Sequence, residues 1–326
     1  MSHLLEVKNL TVKFPTRQGI FEAVRQISFS LGKERLGIVG ESGSGKSMTG
    51  RAILRLIRHP GILEADHIKL EGEDLLQISE KAMRQVRGHK ISMIMQDPKF
   101  SLNPVMRIGD QITEAYRLHA KASKKVAKQK TLDMLEKVLI RDPERVFNAY
   151  PHEMSGGMGQ RIMIAMMLIP DPKILIADEP TSALDVTVQK EVLEIMDNLV
   201  RERGMGLIFI SHDLNVVSAF CDRVLIMYAG RIVEVCEADK LHEAKHPYTL
   251  GLLNSMPSLE HPVEHLEVLK RDEAWDKQAS ISGIVSEASD DLTDKLTDDL
   301  IGNATNNVGN KANNKANSKA NNEVNT

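Results

Sequence analysis

The sequence predicts an α/β protein with a mixed, largely parallel sheet, an antiparallel β-subdomain and an inserted helical subdomain. Continuous apolar runs such as KILIAD (173–178) and GLIFIS (206–211) are typical of parallel strands buried on both faces. Residues 1–39 alternate apolar and polar positions between glycines, as short strands do. Residues 101 to about 154 instead carry apolar side chains three and four positions apart, which indicates helices.

The length of 326 residues suits one large domain or two modest ones and suffices for a buried core. In chain order we first expect strands at 4–14, 21–31 and 35–40, and then a helix from Ser47 to about Ile57. Strand and turn material over 62–76 and a short buried strand at 91–96 follow. The helical block from 101 to about 154 comes next, then the apolar strands at 173–178 and 206–211, and last a hairpin-like pair over 223–237.

The composition changes after about Leu253, and this change divides the chain. We expect one domain over 1–253 with a helical subdomain at about 101–160, a short C-terminal extension over 254–282, and a disordered tail over 283–326. Residues 302–326 are dominated by Asn, Lys and Ala and offer no apolar face to bury. A tethering or binding role for the tail is the alternative interpretation.

Composition excludes several classes of protein. The formal net charge of -3 provides no global basic field, so we expect no nucleic-acid partner. The two cysteines match no metal spacing and are too few for a disulfide framework, which favours a reducing cytosol. The apolar run at 162–169 is far shorter than the ~20 residues that span a bilayer, and the N-terminus does not resemble a secretion signal. We expect a soluble chain that can still dock on a membrane protein.

The stretch GESGSGKS follows a predicted strand and precedes a predicted helix. Its glycines allow successive backbone N–H groups to surround phosphate oxygens, and the helix N-terminus adds its dipole. Lys46 supplies positive charge to the β/γ-phosphates, and the Ser47 hydroxyl binds Mg²⁺. A flexible Gly/Ser turn is the alternative, but the full spacing between strand and helix favours a P-loop NTPase core. The predicted ATP-binding residues are Gly40, Glu41, Ser42, Gly43, Ser44, Gly45, Lys46 and Ser47 of this loop, and Met48 directly after it.

Two carboxylates end the apolar strand in ILIADEP (174–180). Asp178 is suited to hold Mg²⁺ through water, and Glu179 to act as the general base for the attacking water. An Asp-Glu pair alone is usually a solvated turn. Its position after a buried strand, downstream of a phosphate loop, favours the catalytic interpretation.

Two more polar residues follow apolar strands. His212 comes directly after a strand at 206–211, where parallel sheets bind ligands, and a γ-phosphate contact is the functional interpretation. A lone histidine is more often structural. Gln96 ends the strand in MIMQDP, and an ordinary polar strand end is its alternative interpretation.

These motifs, in this order, resemble the nucleotide-binding subunit of an ATP-binding cassette (ABC) transporter over residues 4–253. The match comprises the phosphate loop, the glutamine loop at Gln96, the signature MSGGM (154–158), the magnesium strand, the D-loop SALD ending at Asp185, and the switch histidine His212. The stretches SMIMQDPKFSLNPVMRIGDQI, YPHEMSGGM and HPYTLGLL (246–253) resemble the peptide and nickel importer subgroup.

The resemblance implies site residues in addition to those argued from the motifs, and it implies roles for the motif residues as well. Two subunits of this family sandwich two ATP molecules head to tail, so Ser155, Gly156 and Gly157 would contact the γ-phosphate held by the partner's phosphate loop. The resemblance also implies catalytic roles for four residues, Gln96, Lys46, Glu179 and His212. It further implies Mg²⁺ contacts for Ser47, Gln96 and Asp178. Phe14 would stack on adenine, with Phe21 as the competitor and an ordinary core aromatic as the alternative for either.

Three departures from the family pattern stand out. Met154 replaces a leucine, which is close to volume-conserving, and Gly159 replaces a polar residue at a cost of ~1 kcal/mol in helix propensity. Neither change removes a phosphate donor. Many subgroup members carry several C-terminal cysteines that resemble an iron–sulfur site, but this chain has no cysteine after Cys236. We therefore predict no iron–sulfur cluster.

The function that the resemblance implies is an energy-coupling ATPase that uses ATP and Mg²⁺ at the cytoplasmic face of the inner membrane. It would power import of peptides, nickel or a similar small solute. The implied partners are a second ATPase subunit, which we expect to be a different chain although a homodimer stays open, two transmembrane permease subunits, and an extracytoplasmic solute-binding protein. The alternatives are a soluble cassette ATPase acting on DNA or ribosomes and a non-catalytic nucleotide-binding module.

Overall fold

The computed structural model describes residues 3–96, 101–182, 184–255, 275 and 278–285. Within these residues the strands form two six-stranded sheets, and the predicted class, α/β with a mixed, largely parallel sheet, is confirmed. The strands are β1 (Leu5–Thr16), β2 (Gly19–Leu31), β3 (Arg35–Val39), β4 (Ile62–Glu64), β5 (His67–Leu70), β6 (Glu73–Asp74), β7 (Ile91–Ile94), β8 (Ile174–Asp178), β9 (Gly206–Ser211), β10 (Arg223–Tyr228), β11 (Arg231–Glu237) and β12 (Ser282–Gly283).

The helices begin at polar caps where the sequence offers them. Side chains of Ser79, Ser123 and Asp213 each accept a hydrogen bond from a backbone N–H in the first turn that follows. Among the described residues, no helix is long and apolar enough to cross a membrane. The helices are α1 (Lys46–Ile53), α2 (Glu80–Val86), α3 (Ile108–His119), α4 (Lys124–Lys137), α5 (Pro143–Asn148), α6 (Gly156–Leu168), α7 (Val186–Arg203), α8 (Leu214–Phe220) and α9 (Pro247–Asn254), with 3₁₀ turns at Pro151–Glu153 and Ala238–Glu243.

The helix expected from Ser47 to about Ile57 is shorter in the structure, where α1 ends at Ile53. Leu54 is the cap residue, and Arg55 takes a left-handed conformation with φ of 53°. Such a conformation cannot continue a right-handed helix. The predicted helix is too long because Leu54, Leu56 and Ile57 continue the apolar pattern beyond the residue at which the helix actually ends.

The parallel sheet has the strand order β11-β10-β3-β9-β8-β7, in which all neighbours from β10 to β7 pair in parallel and β10–β11 forms the predicted hairpin. Alternate residues of β8 belong to two different cores. Leu175 packs among the helices, whereas Ile176 packs towards the antiparallel sheet. Because both faces are buried, the strands are apolar at nearly every position.

The antiparallel sheet has the order β12-β2-β1-β5-β6, and β4 pairs with β1. Its last strand, β12, runs parallel to β2 and pairs Gly283 with Phe29. Gly283 is the first residue of the predicted disordered tail, 283–326, so the described fold extends slightly into that range. The rest of the tail, from 286, and residues 256–274 of the predicted extension lie outside the described residues.

The helical subdomain lies between β7 and β8 in the chain, as the sequence predicts. Helices α3, α4 and α5 pack against one another, and α3 and α4 also pack against α6. Gly109 permits a close approach, since a Cβ there would lie 2.3 Å from the Phe147 ring. The Gln111 side chain is buried and bonds to the backbone of Asn103 and Met106, which ties the start of α3 to the loop before it.

We predict that Gly37→Ala destabilises the fold because β3 and α8 touch at this point. The added Cβ would lie 2.5 Å from Val217 Cγ1 and 3.2 Å from Cys221 Sγ. Overpacking of this kind costs about 1–3 kcal/mol in the free energy of unfolding, measured by denaturant titration. The matched control is Gly32→Ala, whose nearest neighbour would be 4.0 Å away and which we expect to change stability by less than ~1 kcal/mol. Equal stability of the two variants would contradict the close contact.

Candidate active site

The phosphate loop connects β3 to α1 in a backbone conformation that favours glycine. Gly40 and Gly45 have φ of 157° and 103°. A Cβ at Gly40 would lie 2.1 Å from the Met227 carbonyl oxygen, and one at Gly45 would lie 2.5 Å from the Ala23 carbonyl oxygen. The loop therefore lies directly against β2 and β10, and larger residues cannot replace these two glycines.

The ammonium group of Lys46 folds back over its own loop. Its Nζ donates hydrogen bonds to the carbonyl oxygens of Gly40 at 2.6 Å and Glu41 at 2.8 Å. The residue is 5% exposed, and this burial lowers the pKa of Lys46 even though Glu179, Asp178 and Glu41 oppose the shift. The loop thus holds a buried cation at the start of α1, where the helix dipole adds further positive potential.

Asp178 at the end of β8 meets Ser47 at the start of α1. The Ser47 hydroxyl donates to Asp178 Oδ1 at 2.8 Å, and Asp178 is 2% exposed. Burial raises the pKa of Asp178, while the hydrogen bond from Ser47 and the charges of Arg51 and Lys46 oppose the rise. A hydroxyl and a carboxylate oxygen in contact are the hard donors that Mg²⁺ prefers, so these two residues fit that ion.

Glu179 lies between the two polar strand ends that the sequence singled out. Its Oε2 accepts a hydrogen bond from Gln96 Nε2 at 2.8 Å, and its Oε1 lies 3.3 Å from His212 Nδ1. The structure therefore brings together three residues that follow β7, β8 and β9 respectively. His212 is exposed, whereas Glu179 is half-buried. A partly buried carboxylate within hydrogen-bond reach of two exposed polar side chains is suited to proton transfer with a water in the site.

The backbone of Glu179 is strained. Its φ is 48°, a left-handed value that few residues other than glycine adopt, and its N–H donates to the Ile210 carbonyl oxygen of β9 at 2.9 Å. Strain of about 1–3 kcal/mol is typical of residues that a functional site holds in one orientation. Here the left-handed residue directly follows the last residue of β8, and its backbone is still bonded to β9.

The signature residues lie on a different cleft. Ser155 caps α6, with its hydroxyl accepting from the Met158 N–H, and Gly156 has open space where a side chain would be. A Cβ at Gly157 would lie 2.7 Å from Val188 Cγ1 of α7, whose start Asp185 caps. The three signature residues, Asp185 and Val188 line a cavity of about 600 Å³. A separate cavity of about 770 Å³ is lined by Phe14 and Met48.

The structure distinguishes the two candidate aromatics. Phe14 and Phe21 pair across β1 and β2, but only Phe14 packs against the core, and its ring lies close to Gly61. Phe14 also shares a cavity with Met48, the residue that follows the phosphate loop. Phe21 is 53% exposed. Of the two, Phe14 is therefore the ring that lines a cavity with α1, although none of the loop residues 40–47 lines that cavity.

One contact to the phosphate loop was missed by sequence reasoning. The hydroxyl of Tyr248, on α9, accepts a hydrogen bond from the Glu41 N–H at 3.0 Å, across 207 positions of the chain. The surrounding stretch HPYTLGLL indicates only the subgroup resemblance. Nothing in its spacing indicates that Tyr248 reaches the phosphate loop.

A glycine-rich loop between a parallel strand and a helix, a buried lysine, and an acidic strand end together define a P-loop NTPase. The chain matches the family model described as ABC transporter over residues 24–182. It belongs to this family of ATP-binding proteins and is an ATPase cassette that binds ATP.

The matched relatives cover most of the chain. The oligopeptide transport ATP-binding protein OppD of Bacillus subtilis is 52% identical over 263 residues, 80% of this chain and 74% of that protein. The dipeptide transport ATP-binding protein DppD of Haemophilus influenzae is 48% identical over 269 residues, 82% of each. A dimeric post-hydrolysis structure of the cassette MJ0796 bound to ADP and Pi has a similar fold, with a TM-score of 0.65, 24% identity, and coverage of 72% of this chain and 98% of that one.

We predict that Asp178→Asn stabilises the nucleotide-free protein at pH 7. Because burial raises the folded-state pKa of Asp178 above its ordinary 3.8, the folded state binds the proton more tightly than the unfolded state. Stability therefore falls as the pH rises through the range between the unfolded-state and folded-state pKa values. Above that range, the ionised carboxylate destabilises the fold. Asparagine removes the charge, so we expect Tm to rise by about 1–3 °C.

The gain should be smaller when Tm is measured at pH 4 instead of pH 7, because a lower pH favours the protonated, uncharged form of wild-type Asp178. The control is Asp239→Asn, which removes an exposed carboxylate and should leave Tm unchanged at both pH values. A lower Tm of the Asp178→Asn variant at pH 7 would show that the carboxylate stabilises the empty site.

Proposed function

We propose that this chain is the ATP-hydrolysing subunit of a peptide importer and acts at the cytoplasmic face of the cell membrane. The observation that carries the enzymatic part is the placement of Glu179 between Gln96 and His212, next to the Ser47–Asp178 contact. The names of OppD and DppD support peptides as the cargo and support transport over the alternative of a soluble ATPase on DNA or ribosomes. Nickel or another small solute was also predicted, and no observation on this chain favours it.

The nucleotide would lie along the phosphate loop. Backbone N–H groups of 43–48 and the Lys46 ammonium would bind the β/γ-phosphates, since Lys46 already lies across the loop. Phe14 would stack on the adenine. Ser47, Asp178 (through water) and Gln96 would hold Mg²⁺, which neutralises phosphate charge when it is bound.

Hydrolysis would start with a water near Glu179. As the water oxygen forms a bond to the γ-phosphorus, Glu179 takes up one of its protons, and the bond from the γ-phosphorus to the β–γ bridging oxygen breaks. The products are ADP and inorganic phosphate. His212, 3.3 Å from Glu179, would orient the carboxylate and contact the γ-phosphate. Gln96 would hold the other carboxylate oxygen.

The signature cleft would serve a second subunit. Ser155 and Gly156 are exposed at the start of α6, where free N–H groups and the helix dipole attract an anion. Together with Gly157 and the D-loop residue Asp185, they would close on the γ-phosphate of a partner's ATP. We propose a different ATPase chain as this partner. Closure on ATP and reopening after hydrolysis would drive two docked permease subunits, which receive solute from an extracytoplasmic binding protein.

We predict that Glu179→Gln binds ATP but loses turnover. The substitution keeps the size of the side chain, and Gln96 and His212 stay within contact distance. It removes the proton acceptor, so the rate of hydrolysis should fall about 100-fold or more. Phosphate release measures turnover, and titration with the fluorescent analogue mant-ATP measures binding. Turnover equal to that of the wild type would show that Glu179 is not the base.

Size-exclusion chromatography of the same variant tests the partner. If the partner is a different chain, the Glu179→Gln protein should elute as a monomer with and without MgATP. A dimer that forms only with MgATP would show that Ser155, Gly156 and Gly157 close on a second copy of this chain. It would contradict the proposal of a different partner.

We predict that the chain supports peptide uptake in Bacillus subtilis lacking its own OppD, since the two proteins are 52% identical over 263 residues. Uptake of a radiolabelled oligopeptide is the measurement. Lys46→Ala should give only background uptake because the buried ammonium of the phosphate loop is lost, while Lys81→Ala, on the exposed face of α2, should behave as the wild type. Expression of a nucleotide-binding chain without uptake would contradict peptide import.

A further inference from the structure

The C-terminal part of the described chain folds back onto the body of the protein. We call Trp275 and residues 278–284 the C-terminal strap. Its strand β12 pairs with β2, and Arg223 Nη1 donates to the Gly283 carbonyl oxygen at 2.7 Å. The Ile281 N–H donates to the Ile232 carbonyl oxygen at 2.8 Å, and the Ile232 N–H donates to Ser280 Oγ at 3.1 Å. The strap is therefore attached to both sheets.

The N-terminal residue of the strap, Trp275, belongs to an aromatic cluster. Trp275 is 7% exposed and lies edge-on to Tyr228 and Tyr248, with ring centroids 5.7 and 6.1 Å away. Tyr228 and Tyr248 contact each other at 4.7 Å. Gln278 Oε1 lies 2.9 Å from His246 Nε2, beside the start of α9. Aromatic pairs of this kind contribute about 0.5–1.5 kcal/mol beyond their burial, so the cluster holds α9 in place.

The same cluster borders the phosphate loop. Tyr248 is fully buried, and its hydroxyl accepts from the Glu41 N–H. Two residues beyond Tyr228, the Gly230 N–H donates to the Ser44 carbonyl oxygen at 3.0 Å. The loop is thus held at its first turn through Glu41 and at its centre through Ser44.

We propose that Tyr248 is a positioning residue for the phosphate loop and that the strap, through Trp275, holds Tyr248 in place. A loop that binds phosphate through backbone N–H groups loses affinity when its conformation is not pre-organised. By taking the Glu41 N–H, Tyr248 sets the turn from which the later N–H groups point inward. The inference rests on the proposed nucleotide site and adds a dependence of ATP affinity on the C-terminal strap.

The test removes the hydroxyl alone. Tyr248→Phe keeps the ring in the aromatic cluster, but it leaves the Glu41 N–H without this acceptor. We expect the Kd for mant-ATP and the KM for ATP to rise about three- to tenfold, with kcat within about twofold, since the hydrogen bond from the Glu41 N–H is lost and no group that touches the nucleotide is removed. Hydrogen exchange of residues 40–47 should become faster, while exchange in β8 and β9 stays unchanged.

The matched control is Tyr116→Phe, which removes a hydroxyl from a partly buried tyrosine of α3 in the helical subdomain. It should leave Kd, KM and exchange of the phosphate loop at wild-type values. A second variant, Trp275→Leu, should weaken mant-ATP binding in the wild-type background but add little in the Tyr248→Phe background, because the strap acts through Tyr248. Trp275→Phe should restore most of the affinity.

Wild-type affinity and loop exchange in Tyr248→Phe would overturn the inference. So would uniformly faster exchange across the chain, which would show a general loss of stability. Full additivity of the two substitutions would overturn the role of the strap. A wild-type chain that binds mant-ATP no better than Lys46→Ala would refute the proposed nucleotide site itself, so the two failures are distinguishable.

Discussion

The hydrogen bond between Ser47 and Asp178 joins two segments of the chain 131 positions apart, and the rest of the site is arranged around it. It requires the end of β8 to lie beside the start of α1, which the order β3-β9-β8 provides. The order β9-β8-β7 sets Gln96 and His212 on either side of Glu179, one residue beyond Asp178. A change in strand order would separate all of these groups, although each local motif would be intact.

The site is destabilising for the empty protein. Burial disfavours the charged forms of both Asp178 and Lys46, and Glu179 has a strained backbone. Two hydrophobic cores, one on each face of the parallel sheet, offset these costs and leave little freedom for the strand ends. A buried ammonium near a buried carboxylate is the arrangement expected where a phosphate ligand complements Lys46 and its Mg²⁺ complements Asp178.

Strands and helix ends could be predicted from the sequence where burial requires an apolar residue at every position. They could not be predicted where burial sets no such requirement. The runs at 173–178 and 206–211 were recognisable because a parallel strand needs apolar residues on both faces, and the structure has β8 and β9 there. The end of α1 was misplaced since the left-handed conformation of Arg55 follows from no composition signal. Strand β12, with two residues, is too short to show a period, so its pairing with β2 could not be predicted.

The sequence by itself determined the local chemistry: the phosphate loop with Lys46 and Ser47, and the acidic strand end at Asp178 and Glu179. These features depend on residues close together in the chain, where spacing sets geometry directly. Only the tertiary structure decided that Gln96 and His212 hold opposite oxygens of Glu179, that Phe14 and not Phe21 lies beside Met48, and that Tyr248 reaches Glu41. Such contacts join distant segments, and strand order and packing, which no local pattern encodes, bring those segments together.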